Sequence, residues 1–386
     1  MSLDWLDSAL EDLDRQSLRR RLIERQSAQD PAQVVLHGRP MAHFGSNDYL
    51  GLAADPRLAK AAQEAIGRIG WGSGASPLIT GRGAGHALLE AELAQFQNAP
   101  AALLFNTGFA ANVGAITALA SAGDVILSDA KNHASIIDGC RLSGAEVVIY
   151  RHADCADLKR LLLETKSARR RLIVTDSLFS MDGDFAPLAD LAQLAREFQA
   201  MLLVDEAHAT GVYGEHGRGL CEAMNVEAGV HVHVGTLSKA LGSFGGFVSG
   251  SASLISWLAN RARGYVFSTA MPEAVAAATR QALRIVQEEP FRRKELLARA
   301  SQLREGLSEA GLPTGSSSSQ IIPVILREPE RVLAASEQLR QAGFFVPAIR
   351  PPSVPQRESL LRISLSYGHA PEQIEQLFQR LLPLAR

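Results

Sequence analysis

Leu202-Leu203-Val204-Asp205-Glu206-Ala207-His208 is an apolar run that ends on an acid, and about thirty residues later stands Gly235-Thr236-Leu237-Ser238-Lys239-Ala240-Leu241-Gly242. The first stretch reads as a strand with Asp205 at its C-terminal end, the second as a glycine-rich turn that carries a lysine. An amine and an acid so spaced can hold both ends of one cofactor. The amine binds an aldehyde as a Schiff base and the acid holds a protonated ring nitrogen, which is what pyridoxal phosphate requires.

Working outward, short apolar runs alternate with helical stretches: Ala102-Leu103-Leu104-Phe105, Val125-Ile126-Leu127, Val147-Val148-Ile149 and Leu172-Ile173-Val174 precede Leu202, and Val232-His233-Val234 and Gly246-Phe247-Val248 follow. This spacing predicts an α/β domain with a mostly parallel seven-stranded sheet flanked by helices. Ligands of such sheets bind beyond the carboxyl ends of the strands, where Asn106-Thr107-Gly108, Ser128-Asp129, Thr175-Asp176-Ser177 and Asp205 fall. Leu3, Leu6, Leu10, Leu13, Leu18 and Leu22 predict an amphipathic helix reaching about residue 27. The expected organisation is an N-terminal helical arm over 1–44, a large cofactor-binding domain over 45–283 and a smaller C-terminal α+β domain over 284–386.

Composition narrows the function. Charged residues at 21% and a formal charge of −2 give no nucleic-acid footprint and point to small-molecule chemistry. The scattered Cys140, Cys155 and Cys221 form no disulfide or zinc pattern, so no metal site is expected. The acidic N-terminal stretch lacks the blocks of a signal peptide and no apolar run is long enough for a membrane span, so the expected location is the cytoplasm. P-loop, Gly-x-Gly-x-x-Gly and His-Glu-x-x-His motifs are absent, which removes support for nucleotide and zinc chemistry.

A strand-terminal aspartate is commonly only a turn or cap residue, and a lone histidine is more often structural. The company of Asp205 argues otherwise. His208 follows by three residues and can bond a phenolic oxygen on the same cofactor. Thr107-Gly108-Phe109-Ala110-Ala111-Asn112 opens an alanine-rich helix whose positive end suits a phosphate, and Thr236 and Ser238 add hydroxyls beside Lys239.

These motifs, with Ser46-Asn47-Asp48-Tyr49-Leu50-Gly51-Leu52, Gly72-Ser73-Gly74-Ala75-Ser76, Asn132-His133-Ala134-Ser135, Phe179-Ser180-Met181-Asp182-Gly183 and Arg350-Pro351-Pro352-Ser353-Val354-Pro355, resemble the α-oxoamine synthases of the fold-type I pyridoxal phosphate transferases, nearly end to end. The resemblance implies that Lys239 forms the Schiff base and then serves as base, that Asp205 pairs with the ring nitrogen, that His208 donates to the ring oxygen and that His133 stacks on the ring. It implies that Gly108, Phe109 and Thr236 bind the cofactor, with Ser180 beside the ring. Asn47 and Arg362 would hold the amino acid's carboxylate, and Arg19 and Ser353 match positions that touch the acyl substrate.

The family joins an amino acid to an acyl thioester with loss of CO2, in homodimers with shared active sites. The segment from Gly72 to Thr80 is therefore expected to reach the neighbouring subunit's cofactor. Ser76 stands where aminolevulinate-forming members carry threonine and leaves room for a substrate methyl, and the Pro351-Pro352 doublet resembles the members acting on pimeloyl thioesters. The expected partners are L-alanine and pimeloyl-CoA or a pimeloyl-acyl carrier protein. Condensation of glycine or serine with acetyl, succinyl or palmitoyl thioesters is the alternative within the family, and a non-catalytic subunit of the same fold the alternative outside it. Gln356-Arg357-Glu358-Ser359 departs from the more usual glycine-containing turn.

Overall fold

The computed structural model describes residues 3–385; residues 1, 2 and 386, the outer ends of the expected arm and C-terminal domain, lie outside the described residues. The chain forms two compact units, one of Asn47–Ser180 and Asp184–Lys294, the other of Met1–Ser46, Met181–Gly183 and Glu295–Arg386.

The larger unit is built on seven strands, β1 (Ala101–Phe105), β2 (Val125–Asp129), β3 (Glu146–Tyr150), β4 (Arg171–Asp176), β5 (Met201–Asp205), β6 (Val232–Thr236) and β7 (Gly246–Gly250), in the order β1-β7-β6-β5-β4-β2-β3. All pairs are parallel except those made by β7, which runs antiparallel to β1 and β6. The central strands are buried on both faces, which is why they read as continuous apolar runs, whereas β3 at the edge is largely exposed. Helix α1 (Gly108–Leu119) and helix α2 (Ala134–Ser143) cover one face. There Ala111, Ala115, Ile116, Ile136 and Cys140 pack on Leu103, Ile126, Val174, Leu203, Val234 and Val248.

The expected cut between residues 283 and 284 falls inside the helix Glu273–Glu288. That helix keeps Ala276, Ala282, Leu283, Ile285 and Val286 buried and packs against Pro56–Ile69, so its whole length belongs to the larger unit.

The smaller unit corrects the reading of the N-terminal arm. The helix spans only Trp5–Arg15. Ser17 takes a left-handed conformation (φ 57°), and Ser17 N–H and Leu18 N–H bond to the carbonyls of Asp14 and Leu13, which closes the helix as a Schellman motif without a glycine. Leu22 is consequently fully exposed. Residues Gln33–Leu36 and Arg39–His43 then form an antiparallel hairpin that the helical reading missed. Its turn residues, His37 and Gly38, both have positive φ, as a two-residue type I′ turn demands. Phe344–Phe345 adds to this hairpin in parallel, and Ile321–Arg327, Ser359–Ser364 and Ala348–Ile349 make a second three-stranded sheet.

Leu203 on β5 is fully buried, while Val147 on the edge strand β3 is exposed. Leu203→Ala is expected to cost about 2–5 kcal/mol of unfolding free energy by denaturant titration. Val147→Ala is expected to change it by about 0.5 kcal/mol or less.

Candidate active site

The parallel strands deliver a row of acids to one edge of the sheet. Asp129, Asp176 and Asp205 end the adjacent strands β2, β4 and β5, with Asp176 directly opposite Asp205 in register, and all three are buried. A buried carboxyl group needs hydrogen-bond donors. For Asp205 they are Asn112 Nδ2, 2.6 Å from Oδ2, and the backbone N–H of Ala207, 2.8 Å from Oδ1. The same Asn112 amide donates to Ser135 Oγ at 2.9 Å, so α1 and α2 are tied together beside the acid. Burial and the neighbouring Asp205 push the Asp176 carboxyl well above its usual range, against a backbone bond from His133 and the charge of Lys239.

His133 caps α2, and its backbone N–H donates to Asp176 Oδ2 at 2.7 Å. Its ring opens to solvent, yet surrounding protein withholds enough water to lower its pKa; Asp205 opposes that shift and Lys239 adds to it. The Ser135 N–H points at Nδ1, which leaves Nε2 as the N–H donor of the neutral ring. On the other side of Asp205, the buried His208 contacts Tyr49 Oη through Nδ1 at 2.6 Å, and Tyr49 bonds Asn47 Oδ1 at 3.2 Å.

Lys239 is half-buried in the turn between β6 and β7. Gly242 closes that turn at φ 59°, where an added Cβ would lie 2.3 Å from the Ala53 nitrogen. The start of α1 lies against the end of β6. A Cβ on Gly108 would sit 3.5 Å from Thr236 Oγ1, and one on Gly246 would sit 2.6 Å from the Gly108 nitrogen. Thr107 caps the helix through Ala110 N–H, and the first turn holds no acidic residue, so the leading N–H groups of α1 could receive an anion, with Ser238 Oγ beside Thr236 Oγ1, whose own hydroxyl donates to the Gly245 carbonyl at 2.9 Å.

The remaining candidates take the following places. Phe109 is exposed on the first turn of α1. Ser180 sits at the end of a hairpin leg, Ser177 to Ser180, whose Ser177 N–H bonds the Asp205 carbonyl at 2.9 Å. Ser76 caps the π-helical turn Pro77–Gly81, its carbonyl accepting from Ile79 and Gly81. In the smaller unit, Arg362 is buried on Ser359–Ser364 with Nη1 2.7 Å from Ser364 Oγ. Arg19 pairs with Asp14 at 2.6 Å, and it is Arg20 that bonds Ser353 Oγ, at 3.0 Å. In the departing turn Gln356–Ser359, Arg357 takes the left-handed conformation (φ 65°) that glycine would favour. The reading of motifs did not single out Asn112, Tyr49, Ser135 or Asp176 for a role. Each lies within or beside a quoted motif, and the one signal for them is a polar residue at a strand end or in the first turns after it.

These residues fit pyridoxal phosphate: a buried carboxyl held by an amide for the ring nitrogen, a lysine whose charge is felt at both Asp176 and His133, and a helix start opened by glycine for the phosphate. The chain belongs to the aminotransferase class I and II family, whose model matches residues 39–381. It is 50% identical to an 8-amino-7-oxononanoate synthase of Anaeromyxobacter dehalogenans strain 2CP-1 over 97% of this chain and 94% of that one. It is 49% identical to an 8-amino-7-oxononanoate synthase of Methylococcus capsulatus over 94% and 93%. Among solved structures, a serine palmitoyltransferase from S. paucimobilis with bound PLP and myriocin superposes with a TM-score of 0.94 at 31% identity, covering 99% of this chain and 97% of that one. An 8-amino-7-oxononanoate synthase from Francisella tularensis gives 0.78 at 27% identity, over 89% and 97%.

Asn112→Ala removes the donor to Asp205 Oδ2 and leaves a buried carboxyl oxygen without its amide. The expected result is about tenfold or more weaker retention of pyridoxal phosphate, the size of a lost bond to a charged group, read as loss of visible absorbance on dialysis.

Proposed function

We propose that this chain is a pyridoxal phosphate-dependent acyltransferase that condenses L-alanine with a pimeloyl thioester, releasing 8-amino-7-oxononanoate, CO2 and the free thiol of coenzyme A or an acyl carrier protein. The observation that carries the chemistry is the Asp205–Asn112 pair with Lys239 close enough for its charge to act on Asp176 and His133. The choice of substrates is supported by the identity of about one half to 8-amino-7-oxononanoate synthases over nearly the whole chain.

When bound, pyridoxal phosphate supplies an electron sink for charge developing at the substrate's α-carbon. Asp205 would accept the bond from the ring N–H, with Asn112 fixing its Oδ2, and His208, which contacts Tyr49 through Nδ1, would donate to the ring oxygen. Gly108, Phe109 and Thr236 would hold the cofactor, with Ser180 beside its ring. Lys239 Nζ would hold the aldehyde, and its amine is the group that would take the proton from the alanine Cα. Arg362 binds the alanine carboxylate through its planar fork, Asn47 serves the same carboxylate, and Ser76 leaves space for the methyl group. His133 would stack on the ring, and its Nε2–H would stabilise the charge that develops on the thioester carbonyl oxygen. Arg19 and Ser353 serve the acyl chain.

The same reading makes the protein a cytoplasmic homodimer with shared sites. Its support is the apolar surface of the segment around Ser76, where Trp71, Leu78 and Ile79 are exposed at 64%, 52% and 75%, and the three free cysteines. Among the described residues no helix is long and apolar enough to cross a membrane.

Assays of the pure protein with alanine, glycine and serine against pimeloyl, acetyl, succinyl and palmitoyl thioesters are expected to give product with alanine and the pimeloyl ester. Preference for serine with the palmitoyl ester would overturn the substrate assignment. Lys239→Ala is expected to lower turnover by at least 10²–10⁴-fold, roughly the scale of general-base catalysis. Ser76→Thr is expected to shift kcat/KM away from alanine and toward glycine by about tenfold, the scale of one methyl group in a pocket. Sedimentation of the active protein is expected to give a dimer.

A further inference from the structure

His152 follows β3 and is the meeting point of two acids from different elements. Its Nδ1 lies 2.8 Å from Asp129 Oδ1 at the end of β2, and its Nε2 lies 3.1 Å from Asp184 Oδ2. Asp129 also accepts the N–H groups of Lys131 and Ala153, at 2.8 and 2.9 Å. The ring stands edge to face on Phe179, with centroids 4.4 Å apart. Phe179 and Asp184 are partners in a hairpin: Ala186 N–H bonds the Ser177 carbonyl, Leu178 bridges Phe185, and Phe179 N–H bonds the Asp184 carbonyl. Ser180 is the next residue after Phe179. One leg of this hairpin is therefore tied to the Asp205 carbonyl through Ser177, while the other is held to the sheet by Asp184 through His152.

We infer that His152 is a positioning residue for the candidate active site: bonded to a carboxylate at each ring nitrogen, it staples the hairpin that carries Ser180 to the end of β2 and so fixes where Ser180 meets the cofactor ring. This rests on the pyridoxal phosphate reading above. Carboxylate oxygens accept and do not donate, so both bonds form together only when both ring nitrogens carry protons. The staple is a cation clamped between two anions.

Its charge state makes the staple pH-dependent. Burial lowers the His152 pKa, but Asp129 and Asp184 outweigh burial and raise it to about 9. The other titratable groups around Asp129 are Lys131 on the turn after β2, Tyr150 on β3, Cys155 and Asp176. Of these, burial and Asp129 push Tyr150 and Cys155 up, which keeps them neutral across the range in which His152 titrates. With a folded pKa above the unfolded value of about 6.5, the stabilisation is complete below about pH 6.5 and is lost as pH rises through about 9.

The test uses the holoenzyme and its His152→Gln, Asp184→Asn and double variants, measured for cofactor release on dialysis, kcat and KM for alanine, and Tm from pH 6 to 10. His152→Gln is expected to release cofactor about tenfold more readily, the loss of a charge-assisted bond, with a Tm deficit that is largest near pH 6 and fades by pH 10. Asp184→Asn is expected to do the same, and the double variant to be no worse than either, as for two members of one interaction. Should His152→Gln fail to fold, Asp184→Asn, which leaves the ring in place, carries the test. Unchanged cofactor retention in either variant, or a Tm deficit that does not vary with pH, reduces His152 to a packing residue and overturns the proposal. A parent protein that takes up no pyridoxal phosphate overturns the functional reading, and this proposal with it.

Discussion

The rest of the larger unit is arranged around a carboxyl group placed where water cannot reach it. Asp205 is 4% exposed at the end of a central parallel strand, and an acid so buried costs several kcal/mol unless donors replace its water. The main donor, Asn112, stands one helical turn into α1. The helix that satisfies the acid is thus the same helix whose N-terminus could receive an anion. For Asn112 to reach Asp205, the start of α1 must press against β6 and β7. Gly246 lies between Phe105 and Thr236 in the sheet register and permits that approach, since any side chain there would strike the Gly108 nitrogen. One constraint thereby fixes the distance between the Asp205 carboxyl group and the start of α1.

Three acids on neighbouring strand ends would repel one another if all carried full charge. The structure resolves this differently at each position. Asp129 is matched by the His152 cation, Asp176 is driven toward its neutral form by burial and by Asp205, and Asp205 is bonded by Asn112 with Lys239 nearby. The middle position is the one given up.

How much of this was legible in the sequence depended on the range of the interaction involved. The seven strands could be read because burial on both faces demands continuous apolar runs, and Asp205, Lys239 and the opening of α1 could be read because they sit in short turn motifs with their own local signature. The end of the N-terminal helix could not, because its left-handed cap is Ser17 rather than glycine, and the leucine spacing continues past it as if nothing had changed. The hairpin at Gln33–His43 was hidden by its length, four and five residues around a His-Gly turn. Asn112 and Tyr49 were quoted within motifs without a role, since a polar residue's partner lies on another element, 93 residues away for Asn112–Asp205 and 159 for Tyr49–His208. The bond of Arg20 to Ser353 was equally out of reach, because adjacent arginines look alike until the backbone fixes which way each points.

The division between fixed and movable groups follows from the same packing. Asp205, His208 and Asn112 are buried, and His133 is held by bonds through its backbone and its ring, so none can leave its place without exposing an unsatisfied polar partner. Lys239 is treated otherwise. Its turn is locked, because Gly242 lies against the Leu52–Ala53 backbone and Leu237 N–H bonds the Gly245 carbonyl, but its side chain is only half-buried. In the role proposed for it, holding an aldehyde and then taking a proton, its amine would have to move from an origin that does not. A flexible four-carbon stem on a rigid turn meets that need. It also explains why the glycines cluster after the lysine rather than before it: they serve to bring the turn backbone against its neighbours, and leave motion to the side chain.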